Sequence, residues 1–243
     1  MPPQYKGEDQ PFPRAKQEMQ PLSQSRQATV GILLAGGGST RLASLAEATG
    51  GGKALLRLEG QTFLERVAAA VAAEVGQTIV VAAPGQPLPA LGQATVVRDS
   101  TPGAGPLAGI RDGLRAALAA AHGAFPPPRL AFVASCDLPL LRPEVVRLLL
   151  DTAAVSSAVW TVPVVHGHRQ VLVSVMRVEL LPRIEAWLAT GRRDLRGLWQ
   201  EIARDDPPSV CAVTEEACLA VDPELVSFVD IDTPADLQRL QSR

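Results

Sequence analysis

Four short segments carry residue types that could do chemistry. The first is LAGGGSTR, Leu34 to Arg41, where an apolar run ends in three consecutive glycines. Such glycines let the backbone approach a ligand with no side chain between, and successive N–H groups there form a nest for phosphate oxygens. Arg41, and Lys53 in the later run GGGK, supply cations against a triphosphate. A Gly-rich turn without any ligand is the plainer reading. The second segment, Ser135-Cys136-Asp137-Leu138-Pro139, puts an acid directly after the apolar run Arg129–Ala134. At the carboxyl end of a central strand an acid lies where open α/β sheets bind ligands, and Mg²⁺ bridging phosphates is a natural partner. An Asp that merely caps the next turn is the alternative. In the third, FVDIDTPAD, Asp230 and Asp232 alternate along an extended stretch and so share a face, as metal-binding carboxylates or as part of a helix cap. In the fourth, Asp99 precedes STPGAGPLAG. Its carboxylate could accept from guanine N1–H and N2–H₂ together, reach a ribose, or cap a turn.

Familiar motifs are excluded by single residues. A Walker loop fails because Glu47 takes its first glycine position and Ala54 follows Lys53. The dinucleotide fingerprint fails after Gly36 and Gly38, where Arg41 stands. A second match, Gly103-x-Gly105-x-x-Ala108, lacks the acid required about 20 residues downstream. His166 and His168 have no third zinc ligand nearby and read as a solvated turn. Arg192 and Arg193 after Gly191 bind phosphate or complement a helix C-terminus, and Trp187 and Trp199 belong to a core.

The elements that must hold these segments alternate. Ala28–Gly37 is almost wholly apolar, as a strand covered on both faces would be. Thr62 to Glu65 is a capping-box start, followed by Leu64, Val67, Ala68 and Val71 at helical spacing. Strands are expected at Thr78–Ala83, Ala94–Val97 and Arg129–Ala134, and helices from Pro106 to about His122 and from Pro143. Ala158–Val164 and Gln170–Met176 read as a hairpin or neighbouring strands. Helices are expected over Leu181–Thr190 and Asp194–Ile202, then a strand at Phe228–Ile231 and a terminal helix capped by Thr233. This rhythm predicts a three-layer α/β/α sandwich on a mostly parallel, Rossmann-like sheet.

The chain has 243 residues, 47% apolar and 20% charged, with 23 basic against 25 acidic side chains. Residues 1–27, rich in Pro, Gln and charge, predict a disordered arm, and residues 28–243 a single domain. A net charge of −2 argues against bulk binding to nucleic acid, and 4% aromatics against base-stacking platforms. No apolar run approaches the about 18 residues of a membrane span. Three cysteines at unrelated spacings, with no leader-like N-terminus, predict a cytoplasmic protein.

Taken in order, LAGGGSTR…GGGKALL, RDS…GPLAGI, CDLP and DIDTPADL resemble the molybdenum cofactor guanylyltransferases, MobA-like members of the nucleotidyltransferase fold that also includes sugar-phosphate enzymes (the nucleotide-diphospho-sugar transferase type). The resemblance implies Mg²⁺-dependent transfer of GMP from GTP to the phosphate of Mo-molybdopterin, and molybdoenzyme-maturation proteins as partners. By it, Leu34, Ala35, Gly36 and Gly37 would hold the nucleotide, with Lys53 on its phosphates, Asp99 by the guanosine and Asp137 on Mg²⁺. Arg41 matches the arginine of the family's glycine loop, and Arg192 and Arg193 its acceptor-side Gly-Glu-Arg-Arg stretch. The chain departs from the pattern where LASLAEATGGG separates Arg41 from Lys53, and where Ala82-Ala83-Pro84 replaces an Asn. Two alternatives remain: a cytidylyl- or sugar-phosphate nucleotidyltransferase, or an inactive nucleotide-binding assembly partner.

Overall fold

The computed structural model describes residues 28–36, 52–120, 127–231 and 233–241. The expected arm, together with Gly37, Arg41 and Asp232, lies outside the described residues. The chain opens with β1 (Thr29–Leu34), and a 3₁₀ turn at Gly52–Leu55 leads to the small hairpin β2 (Arg57–Leu58) and β3 (Gln61–Thr62). Then follow α1 (Phe63–Ala72), β4 (Gln77–Ala82), β5 (Thr95–Arg98), α2 (Pro106–Ala120), β6 (Leu130–Ser135) and α3 (Pro143–Val155). The second half comprises β7 (Trp160–Val165), β8 (His168–Arg169), β9 (Val173–Arg177), α4 (Leu181–Ala189), α5 (Leu195–Asp205), β10 (Val210–Val213), α6 (Glu215–Leu219) and α7 (Pro234–Gln241).

The main sheet runs β10-β7-β9-β6-β1-β4-β5, with β8 hairpinned onto β7. β9 runs antiparallel to both its neighbours, and the other pairings along this path are parallel. Every residue of β1 is buried, as its unbroken apolar run requires. Leu33 faces a core shared with Leu64, Val67 and Val71 of α1 and Val145, Val146 and Leu149 of α3. Val30, Ile32 and Leu34 face the opposite core, with Leu107, Ile110 and Leu114 of α2, Ile184 and Trp187 of α4, and Leu198 and Trp199 of α5. The expected three-layer sandwich is therefore the observed one. Both covering helices approach β1 through glycine. A Cβ on Gly31 would fall 2.4 Å from Val71, and one on Gly113 would fall 2.5 Å from Ile32.

The predicted capping box forms: the Thr62 hydroxyl accepts from the Glu65 N–H at 3.2 Å, and Glu65 Oε2 accepts from the Thr62 N–H at 2.6 Å. That double cap holds the Glu65 carboxyl below its ordinary range. The expected strand at Phe228–Ile231 is not formed. Val226–Phe228 is a 3₁₀ turn entered through Leu225 at φ 51°, because the buried Asp222 carboxylate accepts from the Ser227 N–H at 2.9 Å and curls the chain. No described helix is long and apolar enough to cross a membrane.

Candidate active site at the switch point of the sheet

From β1 the chain moves outward to β4 and β5, then returns to place β6 on the other side of β1. The loops after β1 and β6 therefore diverge, and the crevice between them is where sheets of this kind take ligands. The β1–β6 ladder continues one step past the strand ends, the Cys136 N–H donating to Leu34 O at 3.1 Å. Asp137 is thus fixed beside Ala35 and Gly36. Its backbone carbonyl is held in turn by the Ile231 N–H at 3.0 Å, which brings the third sequence segment to the second. Ile231 is fully buried and Asp230 exposed, so the extended stretch turns its acid outward at this edge.

Lys53 arrives from a different direction. Its 3₁₀ turn buries Ala54 in the core under α1, and the following Leu56, Leu58 and Phe63 pack on Ile231. Burying apolar side chains of this size contributes roughly 1.5–3 kcal/mol each, so a small cluster anchors the lysine. Lys53 Nζ lies 3.6 Å from Asp137 Oδ2, with the two side chains 11% and 23% exposed. Asp137 Oδ1 is enclosed and has no hydrogen-bond partner among the described residues.

An enclosed anionic oxygen without a donor is costly unless a cation joins it, and a hard carboxylate oxygen suits Mg²⁺. No described group of three or more His, Cys, Asp or Glu forms a cage. Neighbouring Cys136 is no nucleophile. Burial first, and the Asp137 charge second, push its thiol up to about 12, and Sγ donates to Ala35 O at 3.8 Å.

The cradle's first residues are pinned from both sides. Leu34 turns its side chain into the core, so only its backbone reaches the edge. The Ala35 N–H donates to Val81 O at 2.9 Å, and a Cβ on Gly36 would sit 3.3 Å from Ala83 N. Gln86, which nothing in the sequence singled out, donates through Nε2 to Ala35 O at 2.9 Å and accepts through Oε1 from the Ala83 N–H at 3.0 Å.

Asp99 caps its own turn, Oδ1 accepting from the Thr101 N–H at 2.8 Å, which is the plainer of its sequence readings. The loop it opens is tied down by Asp112 of α2, a buried acid that sequence reasoning missed. Asp112 Oδ2 accepts from the Ser100 N–H at 2.8 Å and Oδ1 from the Ser100 hydroxyl at 3.0 Å and Arg111 Nε at 2.9 Å. Arg193 touches the same loop, NH1 to Gly103 O at 3.4 Å. Arg192 points elsewhere, its guanidinium 4.2 Å over the Trp187 ring and 3.1 Å from Glu201 Oε2. The two arginines that the sequence grouped are thus divided between the loop after β5 and a helix surface.

A cavity of about 600 Å³ opens at the other edge, beside the strands' first residues Thr29, Gln77 and Thr95. Its only charged lining residue among those described, Glu65, is spent on the α1 cap. Asp137, Ala35 and Gly36 lie at the opposite, carboxyl edge.

Residues 31–207 match the family described as MobA-like NTP transferase domain. A protein of Mycobacterium avium (strain 104) named probable molybdenum cofactor guanylyltransferase is 35% identical over 214 residues, covering 86% of this chain and 93% of that protein. Among solved structures, molybdopterin-guanine dinucleotide biosynthesis protein A of Archaeoglobus fulgidus superposes with a TM-score of 0.68 at 24% identity, covering 88% of this chain and 97% of that one. The 2-C-methyl-D-erythritol 4-phosphate cytidylyltransferase of Thermus thermophilus does so with 0.60 at 19% identity, over 87% and 96%. At these identities the two structures share the fold.

Proposed function

The chain belongs to the MobA-like NTP transferase family and is a nucleotidyltransferase; from that premise we propose that it transfers GMP from GTP to the phosphate of Mo-molybdopterin, with Mg²⁺, releasing pyrophosphate. The observation that carries this reading is Asp137 Oδ1, enclosed and without a donor among the described residues, beside Lys53 and the glycine turn after β1.

In the reaction an acceptor phosphate oxygen attacks the α-phosphorus of GTP. The new P–O bond forms as the bond from the α-phosphorus to the α,β-bridging oxygen breaks, and its electron pair leaves with pyrophosphate. No covalent enzyme intermediate is needed, so the protein's task is to align the two phosphates and stabilise developing charge. The backbone of Ala35 and Gly36 is the nucleotide's seat, and Lys53 supplies positive charge to the departing phosphates. Asp137 would hold the magnesium ion, with Asp230 and Asp232 as further candidate carboxylates. When bound, the ion would supply Lewis-acid neutralisation of phosphate oxygens. Asp99 would meet the guanosine from the loop after β5, Gly37 and Arg41 would extend the cradle, and Arg193 would serve the acceptor side, Arg192 being engaged by Trp187 and Glu201.

Pyrophosphate release from GTP, CTP and UTP, each with and without Mo-molybdopterin, tests the reading. Release that needs both GTP and the acceptor is expected. Faster release with CTP overturns the guanylyl assignment, and release from none of the three overturns the transferase.

A further inference from the structure

We propose that Gln86 is a positioning residue of the nucleotide cradle: its carboxamide clips the loop after β1 to the loop after β4 and turns the Ala35–Gly36 peptide so that the Gly36 N–H faces the bound triphosphate. The inference rests on the nucleotidyltransferase reading and deepens it.

The orientation follows from where Ala35 spends its polar groups. The Ala35 N–H is used by Val81 O. The Ala35 carbonyl accepts from Gln86 Nε2 at 2.9 Å and from Cys136 Sγ at 3.8 Å, so protein donors already engage it. The peptide bonds here are trans. In a trans peptide the carbonyl and the next N–H point in opposite directions, so the Gly36 N–H is aimed away from Gln86 and Cys136. A Gly36 N–H fixed outward is already arranged to receive a phosphate oxygen, and does not have to be ordered when one binds.

The clip needs an amide. Ala83 N–H can only donate and Ala35 O can only accept, so the side chain between them must offer one acceptor and one donor at its tip. The same requirement settles which end of the Gln86 carboxamide is oxygen. Its backbone is held as well: the Gln86 N–H donates to Ala83 O at 3.1 Å, and Arg98 NH1 donates to Ala83 O at 3.0 Å and Gln86 O at 2.9 Å. The 3.3 Å that a Gly36 Cβ would leave to Ala83 N shows how closely the clip draws the loops together. Because β4 ends at Ala82 and is followed by Ala83-Pro84, no side chain there could do this, and Gln86 reaches back from the far side of the turn.

Two variants separate positioning from bulk stability. Gln86→Glu keeps the acceptor for Ala83 but sets a carboxylate against the Ala35 carbonyl; Gln86→Met keeps the volume, removes the bonds to Ala35 and Ala83 and guards against loss of the fold. In steady-state assays with GTP, CTP and UTP, and in calorimetric titration of each nucleotide with Mg²⁺, KM and Kd for the preferred nucleotide should rise tenfold or more in both variants. The kcat at saturation should change little. A side chain that served stability alone would lower the melting temperature and leave KM and Kd within twofold of wild type, and that result overturns the proposal. If the wild type prefers CTP, the guanylyl reading fails, while the same tenfold loss measured for CTP still supports the clip. A wild type that binds none of the three nucleotides overturns both.

Discussion

Asp112 and Asp137 are two carboxylates near one edge of the same sheet, and the protein treats them in opposite ways. Asp112 is saturated: the Ser100 N–H, the Ser100 hydroxyl and Arg111 all donate to it, the contacts lying between 2.8 and 3.0 Å. Glu74 is handled similarly, with Arg147 donating to its two oxygens at 3.0 and 2.7 Å. Asp137 receives a lysine at 3.6 Å on one oxygen and, among the described residues, no hydrogen bond on the other, although that other oxygen is enclosed. Each donor that a buried carboxylate lacks costs about 1–3 kcal/mol. The fully buried Asp222 also has an Oδ1 without a hydrogen bond among the described residues, but Arg142 Nε lies 3.4 Å from that oxygen, whereas the enclosed Oδ1 of Asp137 lies beside the glycine turn after β1. The contrast, more than any motif, separates the frame of this site from its working part.

The harshest way to break the contrast is Asp137→Asn, which preserves shape and removes the charge that a cation would need. Turnover should fall by about 10³-fold, near 4 kcal/mol of transition-state stabilisation. The melting temperature should move by only a few degrees, since no hydrogen bond from a described residue to Oδ1 is lost. Turnover within tenfold of wild type would make Asp137 another turn cap, and the distinction from Asp112 would disappear.

Asp112→Ala probes the other side. It takes the carboxylate from the Arg111 guanidinium, whose side chain is 13% exposed and keeps only the Ser100 and Thr101 hydroxyls, and leaves the Ser100 N–H without its acceptor. Breaking a buried pair in this way costs about 3–5 kcal/mol. The urea midpoint should drop accordingly, while the protein that remains folded still releases pyrophosphate. An unchanged midpoint would show that the loop before α2 does not depend on this network.

Local rules were legible from sequence, and distant ones were not. The Thr62–Glu65 and Thr233–Asp236 caps each close over three residues, and both form. The apolar runs of β1, β4 and β6 announced a sheet covered on both faces, and their rhythm put the glycine turn and Asp137 at one edge. Gln86 was invisible because its partner Ala35 lies 51 residues away, and a Gln in a Pro-rich loop has no signature. Asp112 sat in an amphipathic helix, where an acid usually faces water. The strand β10 was too short and too exposed to declare itself, and the 228–231 segment was curled by Asp222 instead of extending into the sheet.

The two arginines after α4 sharpen the same contrast at smaller scale. Arg192 is committed on two sides, stacked on Trp187 and paired with Glu201 at 3.1 Å, which is how the frame of this protein treats its charges. Arg193 rests on Gly103 O through one long contact of 3.4 Å, near the limit of a hydrogen bond, at the loop after β5. An arginine held so loosely has donors to give to an anionic acceptor, whereas Arg192 would first have to leave an aromatic face worth about 0.5–1 kcal/mol. Arg193→Ala should therefore raise the KM for the acceptor about tenfold, the equivalent of roughly 1.4 kcal/mol, and leave the melting temperature in place. Arg192→Ala should do the reverse, lowering stability by about 1 kcal/mol with the acceptor KM little changed. If Arg192→Ala instead raises the acceptor KM as much as Arg193→Ala does, a side chain with both its faces engaged still serves the ligand, and the rule that satisfied charges belong to the frame fails at this end of the site.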